Sequence, residues 1–423
     1  MRETNYNARA WAALIIAGQF ASPAYGAAII YNLGTLGGTT SYGYAVNDVG
    51  QVAGSSSITS SSLNGHAFRY DGTPGSGGIM RDLGTLGGTS SDGQGVNKVG
   101  QVTGGSQLTG NGAGHAFRYD GTPGSGGIMR DLGHLGGGDS SGKAINEAGQ
   151  VAGTSSISGA FAQHAFRYDG TPGSGGTMRD LGTLGGSDSY GYAINDAGQV
   201  AGFSKITAFV FHAFRYDGTP GSGGVMRDLG TLGGSTSEGH AVNNAGEVAG
   251  WGDITGDTGQ HAFRYEGTPG SGGVMRDLGT LGGRNSFGFD INDAGQVAGS
   301  SFVTGNSTLH AFLYTGSPGV DGVMTDLDAW LDATNPTDGA KWTLTEALGL
   351  TDSGLVTGYG TYNDGPGGST DGTRAFLLDA SALLPVPEPA SLSLLALAGA
   401  ILLLRRDRIL VIANRNREGE KCA

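Results

Sequence analysis

The chain has 423 residues, of which 84 are glycine and one, Cys422, is cysteine, and its formal net charge is −13. A single cysteine excludes an internal disulfide framework and a cysteine-rich zinc site. An acidic chain is also a poor electrostatic match for nucleic acid, whose binding needs clustered Lys and Arg, so the composition argues against a nucleic-acid partner.

The first 26 residues have the pattern of a secretory signal peptide. Arg2 and Arg9 precede an apolar run over residues 10–17, and the small residues around Ala24 and Gly26 fit a cleavage site. A disordered leader is the alternative. The pattern favours export of the mature protein.

The central part of the chain is an internal repeat with a period of about 49 residues. The triplet His-Ala-Phe begins at His66, His115, His164, His212, His261 and His310. An Asp-Leu-Gly marker that starts at Asp82 and an Asn-x-x-Gly marker that starts at Asn47 recur at the same spacing. A period of this length is typical of propellers and other repeat arrays.

Each repeat predicts four short strands. In the first complete copy they cover residues 43–46, 51–54, 66–70 and 79–83, and turn-forming Asn, Asp, Pro and Gly separate them. Four short strands per copy suit a propeller blade.

The two ends of the array indicate a closed ring. Residues 28–33 match the fourth strand of a copy, whereas the last copy ends at residues 374–378, which match the third. Together they complete one blade, whereas an open stack would need polar capping units. We therefore predict an all-β, seven-bladed β-propeller over residues 27–380, closed by its N-terminal strand; a β-solenoid is the alternative.

The repeated polar residues predict structural contacts rather than a metal site. Equivalent histidines on a ring of blades lie too far apart to share one ion, so we expect them to pack or to form hydrogen bonds. Arg69 with Asp82, and Arg118 with Asp131, predict cross-strand ion pairs. Calcium at the turn of Asp71 is the alternative, although no Asp-x-Asp-x-Asp loop is present. We predict no metal and no cofactor.

The last copy contains residues that the other copies lack. Asp328 and Asp332 could act as general acid and base in glycoside cleavage, or their segment could close the ring. Aromatic residues near the loops between second and third strands could form a sugar-binding face or pack those loops; these are Phe161, Phe209, Phe211, Trp251 and Phe302. We assign no catalytic residue and expect the protein not to be an enzyme.

The C-terminal part predicts a membrane segment. Pro387, Glu388 and Pro389 precede an apolar run over residues 392–404, which ends at a basic cluster of Arg405, Arg406 and Arg408. A helix over residues 390–404 would be roughly 22 Å long, which is short for a hydrocarbon core of about 30 Å. The basic cluster suits a cytoplasmic end, so we predict a C-terminal transmembrane helix; a core helix is the alternative.

Two resemblances follow from these residues. The His-Ala-Phe copies resemble the HAF family of bacterial extracellular repeats, which has no established chemistry. Residues 381–408, with the Pro-Glu-Pro, the apolar helix and the basic cluster, resemble a PEP-CTERM sorting signal. That resemblance implies export from a Gram-negative cell, transient anchoring in the inner membrane and processing near Pro387 to Pro389 by an exosortase. Residues 409–423 continue past the usual end of such a signal and are unexplained.

These features together favour an exported, surface-sorted protein with a structural or interaction role in the extracellular matrix of a biofilm. The resemblance suggests extracellular polysaccharide as a partner. A multivalent carbohydrate-binding lectin is the first alternative, and a polysaccharide-active enzyme is the second.

Overall fold

The computed structural model describes residues 28–60, 64–73, 76–159, 162–365 and 371–385. These residues form seven four-stranded antiparallel sheets, which are the blades of a β-propeller. The predicted all-β fold, its four strands per copy and its seven blades are confirmed. The first strand of each blade lines a central channel.

The strand β1 (Ile29–Asn32) begins the described chain, and three complete blades follow it. Blade 1 contains β2 (Ser41–Val46), β3 (Val52–Ser57), β4 (Gly65–Thr73) and β5 (Ser76–Asp82). Blade 2 contains β6 (Gly87–Val96), β7 (Val102–Leu108), β8 (Gly114–Thr122) and β9 (Ser125–Asp131). Blade 3 contains β10 (Gly136–Ile145), β11 (Val151–Ile157), β12 (Gln163–Thr171) and β13 (Ser174–Asp180).

The next three blades repeat this arrangement. Blade 4 contains β14 (Ser189–Ile194), β15 (Val200–Lys205), β16 (Phe211–Thr219) and β17 (Ser222–Asp228). Blade 5 contains β18 (Gly233–Val242), β19 (Val248–Ile254), β20 (Gln260–Thr268) and β21 (Ser271–Asp277). Blade 6 contains β22 (Gly282–Ile291), β23 (Val297–Val303), β24 (Leu309–Thr315) and β25 (Val323–Asp326).

Blade 7 joins the two ends of the array. It contains β26 (Trp342–Leu350), β27 (Leu355–Tyr362) and β28 (Gly372–Asp379), and β1 is its outer strand. Ile29 lies opposite Asp379 and Asn32 lies opposite Phe376 in this antiparallel pair. The predicted closure by the N-terminal strand is confirmed.

Helices occur only beside blade 7 within the described residues. The helices α1 (Leu327–Thr334) and α2 (Pro336–Gly339) precede β26, and a 3₁₀ helix (Ser381–Leu383) follows β28. Asn335 Nδ2 donates a hydrogen bond of 3.0 Å to the Ala28 carbonyl, which fixes the start of β1. No helix in the described ranges is long and apolar enough to cross a membrane, and the predicted helix over residues 390–404 lies outside them.

The hydrophobic core lies between neighbouring blades. A phenylalanine of the third strand is fully buried in every blade; in blade 1 it is Phe68. Phe68 packs with Val52 of its own blade and with Leu377 of blade 7. Gly54 is required beneath this ring, because a Cβ there would lie 2.7 Å from Phe68 Cε1 and 2.0 Å from the Tyr42 carbonyl oxygen. Close approach of strand and ring therefore explains a glycine in the middle of β3.

The asparagine turns link each blade to the next. Asn195 Oδ1 accepts a hydrogen bond of 2.9 Å from Gln199 N–H, which shapes the turn, and Asn195 Nδ2 donates 2.8 Å to the Asn243 carbonyl of blade 5. The same inter-blade bond is donated by Asn47, Asn97, Asn146, Asn243 and Asn292. Thr351 takes this position in blade 7, where its Oγ1 accepts from Leu355 N–H at 3.0 Å.

An arginine of the third strand provides a second link between blades. Arg167 is buried and donates from Nη1 to the carbonyls of Gly198 and Gly218 in blade 4, at 2.7 and 3.1 Å. The equivalent residues are Arg69, Arg118, Arg215 and Arg264.

The predicted ion pairs of Arg69 with Asp82 and of Arg118 with Asp131 are therefore wrong. Arg69 lies opposite Arg81 in the register of the β4–β5 hairpin, and its Nε pairs instead with Asp71 at 2.8 Å. Arg69 and Arg118 each pair with the aspartate two residues further along the same strand, Asp71 and Asp120, and not with an aspartate of the neighbouring strand.

Candidate ligand-binding site at the central channel

The channel contains two cavities on either side of an apolar belt. The belt is formed by the last residue of each first strand: Val46, Val96, Ile145, Ile194, Val242, Ile291 and Leu350. A cavity of about 220 Å³ lies on the side of the asparagine turns. A larger cavity of about 420 Å³ lies on the other side, and we call it the chamber. The chamber is lined by Tyr44, Gln94, Lys143, Tyr192, His240, Phe289 and Leu348.

The chamber is also where the near-identical copies differ. In each first strand of blades 1 to 6, a glycine such as Gly43 is flanked by two variable positions, of which the second faces the chamber. The first variable position holds Tyr42, Asp92, Ser141, Tyr190, Glu238, Phe287 and Glu346 in blades 1 to 7. A residue that the scaffold requires, such as Phe68, recurs in every blade. Residues that differ within such a constant frame are candidates for ligand binding.

Aromatic side chains concentrate on blades 4, 5 and 6 and contact one another across the seams. We call this set the aromatic strip: Tyr190, Tyr192, Phe203, Phe211, His240, Trp251, Phe287 and Phe289. Tyr190 stacks on Phe203 with ring centroids 4.6 Å apart, and Tyr192 stacks on His240 at 4.8 Å. Trp251 meets Phe287 edge-on at 5.9 Å. All eight side chains are half-buried, and Tyr192, His240 and Phe289 line the chamber.

The centre of the strip is polar. His240 Nε2 lies 3.2 Å from Glu238 Oε2 and also 3.2 Å from Trp251 Nε1. The indole N–H can donate to this nitrogen only when it carries no proton, whereas the carboxylate requires the proton. The two partners of His240 therefore favour opposite protonation states of Nε2. Burial, together with the charge of Glu238, raises the pKa of Tyr192.

A second aromatic group lies at the seam between blades 7 and 1. Tyr42 meets Tyr359 edge-on with centroids 5.0 Å apart and stacks on Tyr44 at 6.3 Å. Burial raises the pKa of Glu346, although a hydrogen bond with Tyr359 opposes the shift. The chamber thus has aromatic groups on two sides, with a carboxyl group beside each.

One carboxyl group is built into the chamber wall. Asp290 stands where Ala45, Ala144, Ala193 and Ala241 stand in other blades. Its Oδ2 accepts from Leu350 N–H at 2.7 Å and its Oδ1 from Ile291 N–H at 2.8 Å. Burial nevertheless dominates and raises the pKa of Asp290 to about 7.

The repeated histidines each bind an aspartate of the same blade. His66 Nδ1 lies 2.9 Å from Asp82 Oδ2, and Asp82 Oδ1 accepts from Gly84 N–H at 2.7 Å. The equivalent pairs are His115–Asp131, His164–Asp180, His212–Asp228, His261–Asp277 and His310–Asp326. The predicted hydrogen-bonding role is confirmed, and it explains why the His-Ala-Phe and Asp-Leu-Gly markers occur together.

The Asp-Gly turns considered for calcium have a structural role too. Asp71 Oδ1 accepts from Gln51 Nε2 at 2.7 Å and from Arg69 Nε at 2.8 Å. Among the residues that the structure describes, no three His, Cys, Asp or Glu side chains are placed to hold a metal ion.

The acidic residues of the last copy lie at the seam rather than in the channel. Asp328 Oδ1 accepts from Leu344 N–H at 2.7 Å, and its Oδ2 lies 3.8 Å from His310 Nε2. Burial raises the pKa of Asp328, and the charges of Asp326 and Asp332 add to the shift. Asp332 is exposed. These contacts favour the closing role of this segment, and the general acid and base role stays a prediction.

The predicted aromatic residues divide into three groups. Phe211 and Trp251 belong to the aromatic strip, whereas Phe209 is 90% exposed and Phe302 lies opposite Leu309 in blade 6. Phe161 lies outside the described residues. The first-strand members of the strip were missed because only the loops between second and third strands were considered. Comparison of the seven copies around the first-strand glycine would have found them.

The predicted sorting and processing residues lie outside the described ranges. They are Pro387, Glu388, Pro389, Arg405, Arg406 and Arg408. The predicted signal peptide over residues 1–26 also lies outside them. Both assignments stay predictions.

Comparison with known proteins gives a distant structural likeness. The chain matches no family model, and no curated protein matches it. Among solved structures, it is similar to a fungal alcohol oxidase of the AA5 family in complex with copper, at 14% sequence identity and a TM-score of 0.43. The match covers 86% of this chain and 78% of the other. A likeness this distant carries no argument about activity.

Proposed function

We propose that the protein is an exported, non-catalytic interaction protein of the extracellular matrix, and that it binds extracellular polysaccharide through the aromatic strip. The carrying observation is that half-buried aromatic rings cluster on three blades of an otherwise repeated scaffold. At the equivalent second-strand position, blades 1, 2 and 3 carry Ser55, Gly105 and Thr154 instead of Phe203 or Trp251.

The chemistry of the strip suits a sugar ring. The faces of aromatic rings are electronegative, and the C–H groups on one face of a pyranose are weakly electropositive, so the two surfaces stack. Glu238, whose carboxylate lies beside His240 in the strip, can accept hydrogen bonds from hydroxyl groups. An apolar surface with a few polar groups at its edge is the usual composition of a ligand site.

The terminal segments support the extracellular assignment within this proposal. The leader-like residues 1–26 would direct export, and the Pro-Glu-Pro segment would be the substrate of an exosortase-type enzyme. The apolar run over residues 392–404 would anchor the protein in the inner membrane until it is processed. The protein would then act outside a Gram-negative cell.

The first test is mass spectrometry of the protein in membrane, surface and medium fractions of its native cells. We expect a chain that begins near residue 27 and ends near residue 389, outside the cell. An intact chain that reaches Ala423 in the inner membrane would contradict the proposed sorting.

The second test adds the purified protein to the extracellular matrix of a strain that does not make it, and measures how much protein the matrix retains. Trp251→Ala and Phe287→Ala are expected to weaken retention, because each removes a ring from the centre of the strip. Phe209→Ala is the matched control, since Phe209 is exposed and has no contact within the strip. Equal retention of all three variants and the unaltered protein would refute a role for the strip.

A further inference from the structure

A groove between blades 3 and 4 combines aromatic, hydroxyl and cationic side chains. It has a volume of about 430 Å³, and its lining includes Lys143, Thr154, Gln163, Tyr190 and Tyr192. Exposed Asp139 also lines it, and its Oδ1 accepts a hydrogen bond of 3.0 Å from Gly114 N–H. Lys143 and Tyr192 also line the chamber, so the two spaces adjoin. Phe203 supports the ring of Tyr190 from behind, in a stack whose planes differ by 14°.

Two polar groups in this groove lack the partners that comparable groups have elsewhere. Thr154 is 7% exposed, and its Oγ1 has no hydrogen-bond partner. A buried hydroxyl without a partner costs free energy. Lys143 is half-buried and makes no ion pair with any described residue, whereas Lys98, Lys205 and Lys341 each pair with an aspartate.

We propose that this groove binds a uronic acid unit of an acidic polysaccharide. The proposal rests on the proposed function and names the class of saccharide. The pyranose face stacks on Tyr190 and Tyr192, and the carboxylate pairs with the Lys143 ammonium. A ring hydroxyl then hydrogen-bonds with Thr154 Oγ1, which gives this buried group its partner.

Another groove of the same molecule shows what the scaffold forms without these residues. A cavity of about 380 Å³ lies against blades 1, 2 and 3, and its lining includes Gly65, Asp92, Gly105 and Gly114. None of its lining residues is aromatic or cationic. The proposed site is therefore a property of the blade 3 and 4 side chains and not of the repeat.

The test is calorimetric titration of the full mature protein with hexagalacturonate, and with cellohexaose as the neutral probe. We expect hexagalacturonate to bind more tightly and its affinity to fall as salt is added. Lys143→Gln should weaken this binding about tenfold or more, the usual effect of losing one charged hydrogen bond. Lys143→Arg should keep most of the affinity, and Gln107→Ala, in the other groove, should leave it unchanged.

Thr154→Val gives a second readout. It removes the hydroxyl at nearly constant shape, so we expect weaker binding of hexagalacturonate together with an unchanged or higher melting temperature of the free protein. A lower melting temperature with unchanged binding would show that the hydroxyl serves the fold and would overturn its assigned role.

The outcomes separate this proposal from the proposed function. Equal binding of both probes, unaffected by Lys143→Gln, would overturn the uronate assignment and leave polysaccharide binding intact. Binding of neither probe, with matrix retention that still depends on Trp251, would overturn the groove as the site. If matrix retention did not depend on Trp251 and Phe287, the proposed function itself would be overturned.

Discussion

The contribution of the asparagine links can be measured at Asn195, because the chain supplies its own control. Blade 7 has Thr351 at this position, and its hydroxyl makes the turn bond to Leu355 N–H. Asn195→Thr should therefore keep the turn bond to Gln199 N–H while removing both bonds that Asn195 Nδ2 donates, at 2.8 Å to the Asn243 carbonyl and at 2.7 Å to Gln199 Oε1. Asn195→Ala should remove all three.

The expected costs differ because the groups left behind differ. The Asn243 carbonyl also accepts from Gly246 N–H at 2.9 Å, so it keeps one partner after Asn195→Thr. The loss is then that of two net hydrogen bonds, about 2 kcal/mol. Asn195→Ala also leaves the bond from Gln199 N–H unmade, which adds about 1–3 kcal/mol. We expect a total loss in free energy of unfolding of about 3–5 kcal/mol for Asn195→Ala.

Urea denaturation followed by tryptophan fluorescence measures these differences, provided that the slope of the transition stays constant. Thr351→Ala is the complementary variant, since it removes a turn bond without an inter-blade bond from that side chain. The reasoning is refuted if Asn195→Thr matches the unaltered protein, or if it costs as much as Asn195→Ala.

Three further predictions concern closure and pH. Deletion of residues 28–33 removes the outer strand of blade 7 and buried Ile30, so the melting temperature should fall clearly; an unchanged value would contradict closure by β1. The pKa of Asp228 is lowered overall. Burial alone would raise it, but the hydrogen bonds from His212 and from Gly230 N–H outweigh the effect of burial. Its stabilising contribution should therefore be present above about pH 3.9, the ordinary Asp value, and be lost below it. Asp228→Asn should flatten the melting curve against pH in that range, and an unaltered slope would argue against the pair. Asp290 should have the opposite effect on stability as pH changes, because burial raises its pKa to about 7. The free-energy cost of holding this carboxylate ionised in the folded protein should appear as pH rises from about 4 through 7. Asp290→Asn should therefore raise the melting temperature at pH 8 but not at pH 4. An equal effect at both values would contradict the raised pKa.

The blades could be predicted from sequence because their signals are local. The turn that begins at Asn47 uses a side-chain oxygen acceptor, which is asparagine in blades 1 to 6 and Thr351 in blade 7, and a glycine with positive φ, and both recur along the chain. The predicted third strand over residues 66–70 is shorter than β4 (Gly65–Thr73), since the hairpin continues to its tight end. The helix α1 was not predicted. It forms because Asp326, the last copy of the Asp-Leu-Gly aspartate, accepts from the N–H groups of Asp328 and Ala329 and caps it.

The contacts between blades could not be predicted from one copy. Arg167 binds backbone carbonyls of Gly198 and Gly218, and a carbonyl acceptor leaves no trace in the sequence. The candidate site was missed for a different reason. Residues such as Tyr192 and Lys143 can be recognised only when it is known which alternate positions of the first strand face the channel. The seven copies show which positions vary, but only the structure shows which of those side chains face the channel.

The pairing of β1 with β28 has a consequence for the order of events during synthesis. Ile29 is among the first residues of the propeller to be made, and its partner Asp379 is among the last. The backbone groups of β1 must therefore wait for about 350 residues before their hydrogen-bonding partner exists. The ring therefore cannot close until the last blade has been made.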